Sequence, residues 1–418
     1  MLLTAGPAQH ERYPARMELS VYAHPWDLEA LEGMGGLGRL RDLGFAEVAL
    51  ATSYHAGRWL TPWDPRGLVR FLEDGTVHYR PRSDYGKLAP LPSSEVGDGP
   101  SPLARLCDRA RDVGIRTRAW TVAFHNSRLG RLHPECAAEN ALGDRYSYSL
   151  CPANPDVALY AVTMVQDLAA HAGLDTIELE SFGWMGHRHN GHHEKNSFPA
   201  DGHTDMLLSL CFCTSCSAGM AEAAKAKGRE LDVAALRAKV HGLLRASFRD
   251  ADCMAPRKLT VAEAGKLMLD QFGAETLEAV TAQRLATLVE LGGRCALLAR
   301  HEGVKLAING AWDGLRGAPQ MPLAVLGPMA DEAVFTCYGD GPDGIARALP
   351  GVAKHVQRRP GAKLRLCIHP RAPQFSSDED LVRVRALATE HGVGSIAVYH
   401  LGLLPWPTIE RVARVLRT

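Results

Sequence analysis

The chain has 418 residues, of which 46% are apolar and 22% charged, and its 47 basic side chains balance its 47 acidic ones. This balance argues against nucleic acid as the main partner, because phosphate binding needs clustered cationic surface. The sequence has no apolar run long enough to span a membrane, and no basic residues precede its short apolar start as they would in a secretory signal. We therefore expect a cytoplasmic protein that binds neither nucleic acid nor membrane.

Eight short runs of apolar or β-branched residues predict β-strands, and amphipathic stretches that often end at a glycine predict helices between them. The runs are residues 19–23, 47–52, 116–124, 176–182, 305–309, 333–338, 363–368 and 395–400. Helices are expected at residues 28–43, 102–113, 155–172, 318–326, 343–358, 378–391 and 408–416. Strand and helix alternating eight times is typical of an α/β protein with the (β/α)8 TIM-barrel fold.

An open, doubly wound parallel sheet is the alternative fold. It would require a glycine-rich phosphate-binding loop directly after an early strand. The glycine-rich segment at residues 33–40 follows the beginning of a predicted helix rather than a strand. The barrel is therefore the favoured fold, and the sequence predicts no nucleotide cofactor.

Two stretches are too long for the simple strand–helix repeat. Residues 57–101, after the second strand, are rich in proline, glycine, arginine and aspartate, which predicts an elaborated loop over the top of the barrel. Residues 184–303, after the fourth strand, contain a histidine-rich loop, a cysteine cluster and several helical patterns. We expect one barrel domain spanning residues 1–418, with a helical insertion at 184–303.

Polar and aromatic side chains follow most of the predicted strands, at the end where a TIM barrel places its active site. Aromatic residues are only 6% of the chain, yet they gather there with histidines and amides. Flat rings pack on the C–H face of a sugar, and forked polar groups bind its hydroxyls. A single residue at a strand end is equally consistent with packing, so the joint pattern carries the prediction. The predicted substrate-binding residues are His24, Trp26, His55, His125, Asn126, Trp184, Asn309, Trp312, Tyr338, His369 and His400.

The predicted fourth strand carries two carboxylates on one face. Alternation places Glu178 and Glu180 opposite the apolar residues between them, so both should point into the barrel, with Glu180 about 7 Å nearer the mouth. Carboxylates inside a barrel need a partner or a function. Pairing of Glu178 with Arg118 is the structural alternative, and Glu180 is the predicted central catalytic residue.

A glycosidase needs a second carboxylate. Asp313 and Asp340 follow the fifth and sixth predicted strands, and each precedes a glycine, so each is either the catalytic partner or a turn residue. The seventh strand ends at His369 and offers no carboxylate. The candidate catalytic residues are therefore Glu180, Glu178, Asp340 and Asp313.

Cys211, Cys213 and Cys216 form a C-x-C-x-x-C string directly after the histidine-rich loop. Thiolates at this spacing can bind one tetrahedral zinc ion, with a fourth ligand from elsewhere in the chain. We take His187 as the candidate fourth ligand, with His189, His203 and Cys136 as alternatives. The predicted zinc is structural rather than catalytic, and three reduced cysteines at the start of a helix are the alternative.

The segment LCPANPDV at residues 150–157, followed by a helix and by LDTIELE at 174–180, resembles a pattern of TIM-barrel glycoside hydrolases and of hydrolase-like families related to α-amylases. In those families a C/N-P-x-x-P-x-V entry to the third helix precedes a fourth strand that reads D-G-I-x-x-D. The resemblance implies a catalytic carboxylate at Glu180, although glutamate replaces the aspartate of the family. Members with a glutamate acid/base on strand four keep their nucleophile on strand seven, where this chain has His369. Cysteine-bound zinc beside the barrel is similar to what some β-galactosidases carry.

Three functions follow from these patterns. The first is a glycoside hydrolase, or a close relative acting on a carbohydrate, with Glu180 as its central carboxylate. The second is a metal-dependent sugar isomerase, epimerase or lyase that uses Glu178, Glu180 and a histidine around a divalent ion. The third is a barrel that binds carbohydrate without catalysis.

Overall fold

A computed structural model of the chain describes residues 17–188, 200–310, 329–339, 341–357 and 361–417. Eight parallel strands form a closed barrel, because the first strand pairs with both the second and the eighth. The strands are β1 Glu18–Ala23, β2 Phe45–Tyr54, β3 Arg116–Val122, β4 Thr176–Glu180, β5 Lys305–Asn309, β6 Glu332–Cys337, β7 Lys363–Ile368 and β8 Ser395–Val398. Each coincides with a predicted run to within two residues at either end, which confirms the predicted TIM barrel.

The described residues also form thirteen α-helices. They are α1 Pro25–Glu32, α2 Gly36–Leu43, α3 Pro102–Val113, α4 Ser127–Leu132, α5 Pro155–Ala169, α6 Gly202–Leu208, α7 Thr214–Lys225, α8 Val233–Arg249, α9 Val261–Phe272, α10 Ala274–His301, α11 Gly341–Gln357, α12 Asp378–Glu390 and α13 Trp406–Arg417. The single helix predicted over residues 28–43 is two helices, since Gly35 adopts a left-handed conformation (φ 104°) between α1 and α2. The helix predicted over 318–326 lies outside the described residues. No helix in the described ranges is both long enough and apolar enough to cross a membrane.

Side chains of the barrel strands alternate between an outer face covered by helices and an inner face. On β4, Ile177 and Leu179 are buried in the large cluster between strands and helices. Glu178 instead reaches Tyr22 of β1 across the interior. Trp120 of β3 belongs to the inner cluster together with Tyr22. Alternation along β4 therefore directs its carboxylates inward, as the sequence predicts.

A layer of paired charges fills the lower part of the interior. Arg118 Nε lies 2.7 Å from Glu47 Oε1, Arg118 Nη1 lies 3.1 Å from Glu178 Oε2, and Arg118 Nη2 lies 3.0 Å from Glu332 Oε1. Arg365 contacts Glu47 at 2.7 Å and Glu332 at 2.5 Å. Burial alone would raise the pKa of Glu47, but the two arginines outweigh it and lower that pKa to about 2. Glu47 therefore stays ionised at neutral pH.

The loop after β2 reaches over the mouth of the barrel. Its first part is an antiparallel hairpin of Arg58–Leu60 and Val69–Phe71, and its next part, Thr76–Val77, pairs with the end of β2. Trp59 on the hairpin is 6% exposed and packs against the rings of His24 and His400. The hairpin thereby covers one side of the mouth.

The helices between β4 and β5 have a core of their own. Buried side chains of α6, α8 and α9, among them Leu207, Val240 and Met268, form a cluster separate from the main core. The long helix α10 continues from this cluster back to the barrel, where Cys295 and Ala296 join the main core. The division of the chain at residues 184 and 303 stays a prediction.

Replacing Arg118 by methionine should lower the free energy of unfolding by about 3–5 kcal/mol, because Glu47, Glu178 and Glu332 then lose a shared buried counter-charge. Urea denaturation at pH 7, followed by circular dichroism, measures this change. The matched control is Arg411→Met, which removes an exposed pair with Asp378 and should cost less than about 1 kcal/mol. Equal losses for the two variants would contradict a stabilising charge layer.

Candidate active site

Glu180 lies at the carboxyl end of β4, where the interior of the barrel meets its mouth. Its Oε2 accepts a hydrogen bond of 2.5 Å from Trp120 Nε1, and part of the side chain remains exposed. Burial raises its pKa and the neighbouring charge of Glu178 raises it further, whereas the Trp120 bond opposes them, so that the pKa is about 7. Glu180 is thus a partly exposed carboxyl group whose raised pKa lies near neutral pH.

Glu178 has very different surroundings. It is completely buried, and its Oε1 accepts bonds from Tyr22 Oη at 2.6 Å and from Asn309 Nδ2 at 2.8 Å. Its Oε2 accepts a bond from Arg118 Nη1 at 3.1 Å. Glu178 thus has the pairing with Arg118 that the sequence offers as the structural alternative, and Asn309 donates to Glu178. A catalytic role for Glu178 and a substrate-binding role for Asn309 stay predictions.

Three tyrosines surround the Glu180 carboxyl. Tyr54 Oη lies 3.2 Å from Tyr399 Oη, and the rings of Tyr338 and Tyr399 lie 4.5 Å apart. Burial raises the pKa of all three hydroxyls, and the charge of Glu180 raises it further. Each tyrosine therefore remains protonated and can donate a hydrogen bond. Tyr338 is a predicted binding residue, and Tyr54 and Tyr399 lie beside it.

Two neutral histidines, His24 and His400, lie beside these tyrosines, and we call the five side chains the cup. The ring of His24 stacks on that of Trp26 at 4.4 Å and lies 5.0 Å from that of His400. Burial holds the pKa of both histidines well below the usual range. Within the described residues, both ring nitrogens of His24 and Nε2 of His400 lack a hydrogen-bond partner. Trp59 packs against both rings, and both histidine side chains are fully buried.

Among the remaining predicted binding residues, His55, His125 and His369 lie beside the cup. His55 stacks on His125 at 4.0 Å and on Tyr54 at 4.4 Å, which places both histidines beside the cup. His369 is partly exposed 5.6 Å from the Tyr399 ring, and burial, with the nearby charge of Arg371, lowers its pKa to about 4. His369 is therefore neutral at pH 7 and can bind a hydroxyl.

Asn126 and Trp184 do not line the cup. Asn126 Oδ1 accepts a bond of 2.9 Å from Leu129 N at the start of α4, so its side chain caps this helix. Trp184 is 3% exposed and lies under the guanidinium of Arg284, 5.3 Å from its ring centre, at the base of the insertion. The substrate-binding roles of both residues stay predictions.

Three further predicted residues lie outside the described ranges. They are the candidate catalytic carboxylates Asp313 and Asp340 and the candidate binding residue Trp312. At the end of β7 the chain carries His369, as the sequence indicates.

Trp120, the donor to Glu180, has a signal in the sequence. Trp120 lies two residues after Arg118 on β3, so the alternation that directs the arginine inward also directs the indole inward. Trp59 had no such signal, because its place over the mouth depends on a contact between a hairpin and the ends of distant strands.

Four buried cysteines converge beside the barrel. Cys151 Sγ lies 3.9 Å from Cys211 Sγ, 3.6 Å from Cys213 Sγ and 3.4 Å from Cys216 Sγ. All four sulfurs lie within 4.8 Å of one another. The fourth member of the cluster is thus Cys151, from the LCPANP segment before α5, rather than the predicted His187.

His187 and the described alternative fourth ligands make other contacts. His187 donates its backbone N–H to Ser209 Oγ, and its ring lies 6.3 Å from that of Tyr146. His203 Nε2 lies 2.8 Å from Gln271 Oε1. Cys136 accepts the backbone N–H of Cys151 on its carbonyl oxygen and is not part of the sulfur cluster. His189 lies outside the described residues.

No protein-family model and no curated protein matches the chain. Its fold is nevertheless shared by solved structures. The glycoside hydrolase domain of PgaB (BpsB) from Bordetella bronchiseptica has 13% identity and a TM-score of 0.53, over 96% of this chain and 99% of that one. The catalytic domain of β-amylase from Paenibacillus polymyxa has 11% identity and a TM-score of 0.55, over 95% and 97%.

A β-galactosidase from Marinomonas ef1 has 13% identity and a TM-score of 0.53, and the match covers 96% of this chain but 59% of that one. At such identities the similarity concerns the fold. The resemblance to TIM-barrel glycoside hydrolases is therefore confirmed at the level of architecture.

Replacing Glu180 by glutamine should stabilise the protein at alkaline pH and leave it unchanged at acid pH. The unfolded chain ionises this carboxyl near 4.5, whereas the folded chain does so near 7. The wild-type chain therefore loses stability relative to the variant as pH rises from 4.5 to 7. With a discount for partial exposure, we expect a gain of about 2 kcal/mol at pH 8.

Urea denaturation at pH 4, 6 and 8 measures this difference. Glu390→Gln, on the exposed end of α12, is the matched control and should show no such trend. A stability difference for Glu180→Gln that does not change with pH would refute the raised pKa.

Proposed function

We propose that this chain is a glycoside hydrolase, or a close relative acting on a carbohydrate, in which Glu180 is the general acid. The observation that carries the proposal is the position of Glu180, a partly exposed carboxyl at the active-site end of β4 with a pKa of about 7. A general acid works best when its pKa lies near the operating pH. A carboxyl group with such a raised pKa resembles the general acid in the catalytic carboxyl pair of a glycosidase.

The proposed step is a proton transfer from Glu180 to the glycosidic oxygen as the bond from that oxygen to the anomeric carbon breaks. The transfer leaves a carboxylate beside the Trp120 N–H, which already donates to Glu180 Oε2. A hydrogen bond to a charged acceptor is stronger than one to a neutral acceptor. Trp120 thus favours the state that Glu180 reaches after it has given up its proton.

The partner of Glu180 completes the reaction by activating a water or by attacking the anomeric carbon itself. We propose Asp340 or Asp313 for this role, since each follows a strand whose end belongs to the same rim. His369, at the end of β7, is neutral and partly exposed, and we assign it to hydroxyl binding.

The cup around Glu180 supports a neutral, polyhydroxylated substrate. Protonated Tyr54, Tyr338 and Tyr399 offer hydroxyls, and the uncharged rings of His24 and His400 offer further nitrogen atoms. Trp26, His55 and His125 add flat surfaces and complete the proposed binding set. Groups that neither carry charge nor need counter-ions suit a sugar ring better than an anionic ligand.

The metal-dependent isomerase alternative draws less support from the geometry. It would use Glu178 as a metal ligand, yet that carboxylate already accepts hydrogen bonds from Tyr22, Asn309 and Arg118. A ligand role would have to displace a buried ion pair. A barrel that binds carbohydrate without catalysis remains the outcome if Glu180 proves not to contribute to turnover.

The cysteine cluster supports a second proposal, a structural zinc site formed by Cys151, Cys211, Cys213 and Cys216. Four sulfurs at about 2.3 Å from a zinc ion stand about 3.8 Å apart in a tetrahedron. The separations of 3.4, 3.6 and 3.9 Å from Cys151 are close to this value. Four protein ligands leave no open position, so the ion would tie the start of α7 to the barrel rather than bind substrate.

Glu180→Gln should lower kcat by at least about a hundredfold on any glycoside that the wild-type chain hydrolyses, because the variant cannot donate the proton. The wild-type kcat/KM should fall as pH rises above about 7, when the acid loses its proton. A screen of 4-nitrophenyl glycosides followed by pH–rate profiles measures both. Glu390→Gln should retain full activity, and an active Glu180→Gln would refute the assignment.

The zinc proposal predicts one zinc ion per chain by elemental analysis. Cys151→Ser should lose most of this zinc and lower Tm, since a structural zinc site contributes directly to folding. His187→Ala is the matched control and should retain both. Glu180→Gln should also keep its zinc. Full zinc content in Cys151→Ser, or none in the wild-type chain, would contradict the four-cysteine site.

A further inference from the structure

A small cavity opens to solvent on the loop after β2, beside the barrel mouth. Its volume is about 140 Å³, and its walls come from Trp26 at the start of α1, the end of β2, the hairpin strand Val69–Phe71 and parts of the loop at residues 72–78 and 93–95. An engineered apolar cavity of about 150 Å³ in another protein binds benzene, so a ligand of about six heavy atoms suits this volume. The cavity is therefore large enough for a small molecule, and a sugar with all its hydroxyls exceeds it.

Glu73 places a carboxylate without an ion-pair partner at this cavity. It is exposed, and it accepts hydrogen bonds from Ser94 N at 3.0 Å and from Ser94 Oγ at 2.5 Å. Both donors are neutral, and within the described residues no cationic side chain forms a salt bridge with Glu73. The negative charge of Glu73 therefore lacks a counter-charge in the described part of the chain.

Glu95 adds a second carboxylate, whose charge is compensated only in part. Its Oε1 lies 3.9 Å from Arg70 Nη1, while Arg70 Nη2 lies 2.8 Å from Asp64 Oδ2. Burial raises the pKa of Glu95 and the charge of Glu29 raises it further, although nearby arginines, Arg70 first among them, oppose both. The lining of the cavity thus has two carboxylates and one guanidinium, which is itself paired with Asp64. This balance favours a cationic ligand.

His78 in the wall of the cavity has a defined protonation state. It is 4% exposed, and its Nδ1 lies 2.7 Å from the carbonyl oxygen of Ala51, to which it must donate. Burial lowers its pKa to about 4, although the Ala51 bond and the charge of Glu73 oppose this, so the ring is neutral at pH 7. The proton therefore resides on Nδ1, and Nε2 carries a lone pair.

Nε2 of His78 is thus an acceptor without a donor. Within the described residues it makes no hydrogen bond, and unlike Ser93 Oγ in the same wall it is not sealed from solvent. Buried polar groups in folded proteins nearly always have a partner. A ligand that brings a donor into the cavity supplies the missing bond, which is evidence for a ligand independent of the carboxylates.

An organic cation suits the cavity better than a metal ion. Among the described residues, only the four clustered cysteines bring enough ligand atoms together for a metal. The cavity instead has aromatic rings in its wall, and one of them, Phe71, is 77% exposed. Ring faces attract ammonium groups, and ring carbons contact methylene groups. The lining therefore offers contacts to both the charged and the apolar part of an amine.

We propose that this cavity binds a small primary amine that also carries a hydroxyl group. The ammonium group binds to Glu73 and Glu95, the hydroxyl donates to His78 Nε2, and the carbon atoms pack on Phe71. The proposal does not rest on the proposed hydrolase activity, because Glu73, Glu95 and His78 have no part in it.

Calorimetric titration with ethanolamine and two compounds of the same size tests the proposal. Ethylene glycol replaces the ammonium group by a second hydroxyl, and propylamine replaces the hydroxyl by a methyl group. The wild-type chain should bind ethanolamine, bind propylamine about tenfold more weakly, and give no heat of binding with ethylene glycol. Glu73→Gln should raise the Kd of ethanolamine about tenfold and keep the preference over propylamine, since His78 is unchanged.

Asp98→Asn is the matched control, because Asp98 is an exposed carboxylate of the same loop that does not line the cavity. It should leave the Kd of ethanolamine unchanged, and circular dichroism checks that each variant is folded. No binding of ethanolamine by the wild-type chain, or the same Kd for Glu73→Gln, would overturn the site. An equal rise of Kd in Asp98→Asn would show attraction to surface charge only and would also overturn it. Equal affinity for ethanolamine and propylamine would overturn the bond to His78.

Discussion

The pKa of Glu180 depends in part on its neighbour on the same strand, Glu178, which pairs with Arg118. Both carboxylates point into the barrel, but Arg118 and two neutral donors compensate Glu178 completely, whereas Glu180 has one bond from Trp120. Burial is the main cause of the raised pKa of Glu180, and the charge of Glu178 raises it further. The charge layer that stabilises the barrel therefore also contributes to the proton affinity of the group at its mouth.

Much of the fold follows from local patterns in the sequence. Alternating apolar residues located all eight strands, and alternation along β4 gave the inward direction of Glu178 and Glu180. The same reasoning leaves two roles open for Glu178, pairing with Arg118 or catalysis. The pattern of one strand does not show whether Arg118, on another strand, reaches this carboxylate. The helix-capping bond of Asn126 is likewise a contact that the strand pattern does not predict.

Contacts between distant segments explain the rest of what was missed. The C-x-C-x-x-C string indicated a thiol cluster, but Cys151 precedes it by 60 positions and is brought there by the packing of α7 beside the barrel. Trp59 reaches the mouth through a hairpin whose register no strand pattern specifies. Trp59 belongs to the elaborated loop after β2, and this loop covers one side of the mouth.

The central claim is that Glu180 holds a proton near neutral pH. Carbon-13 NMR of glutamate side-chain carboxyls reports ionisation directly, and the signal of Glu180 is the one that Glu180→Gln removes. The account predicts that this signal titrates with a midpoint near pH 7. A midpoint near 4.5, the usual value for glutamate, would contradict it.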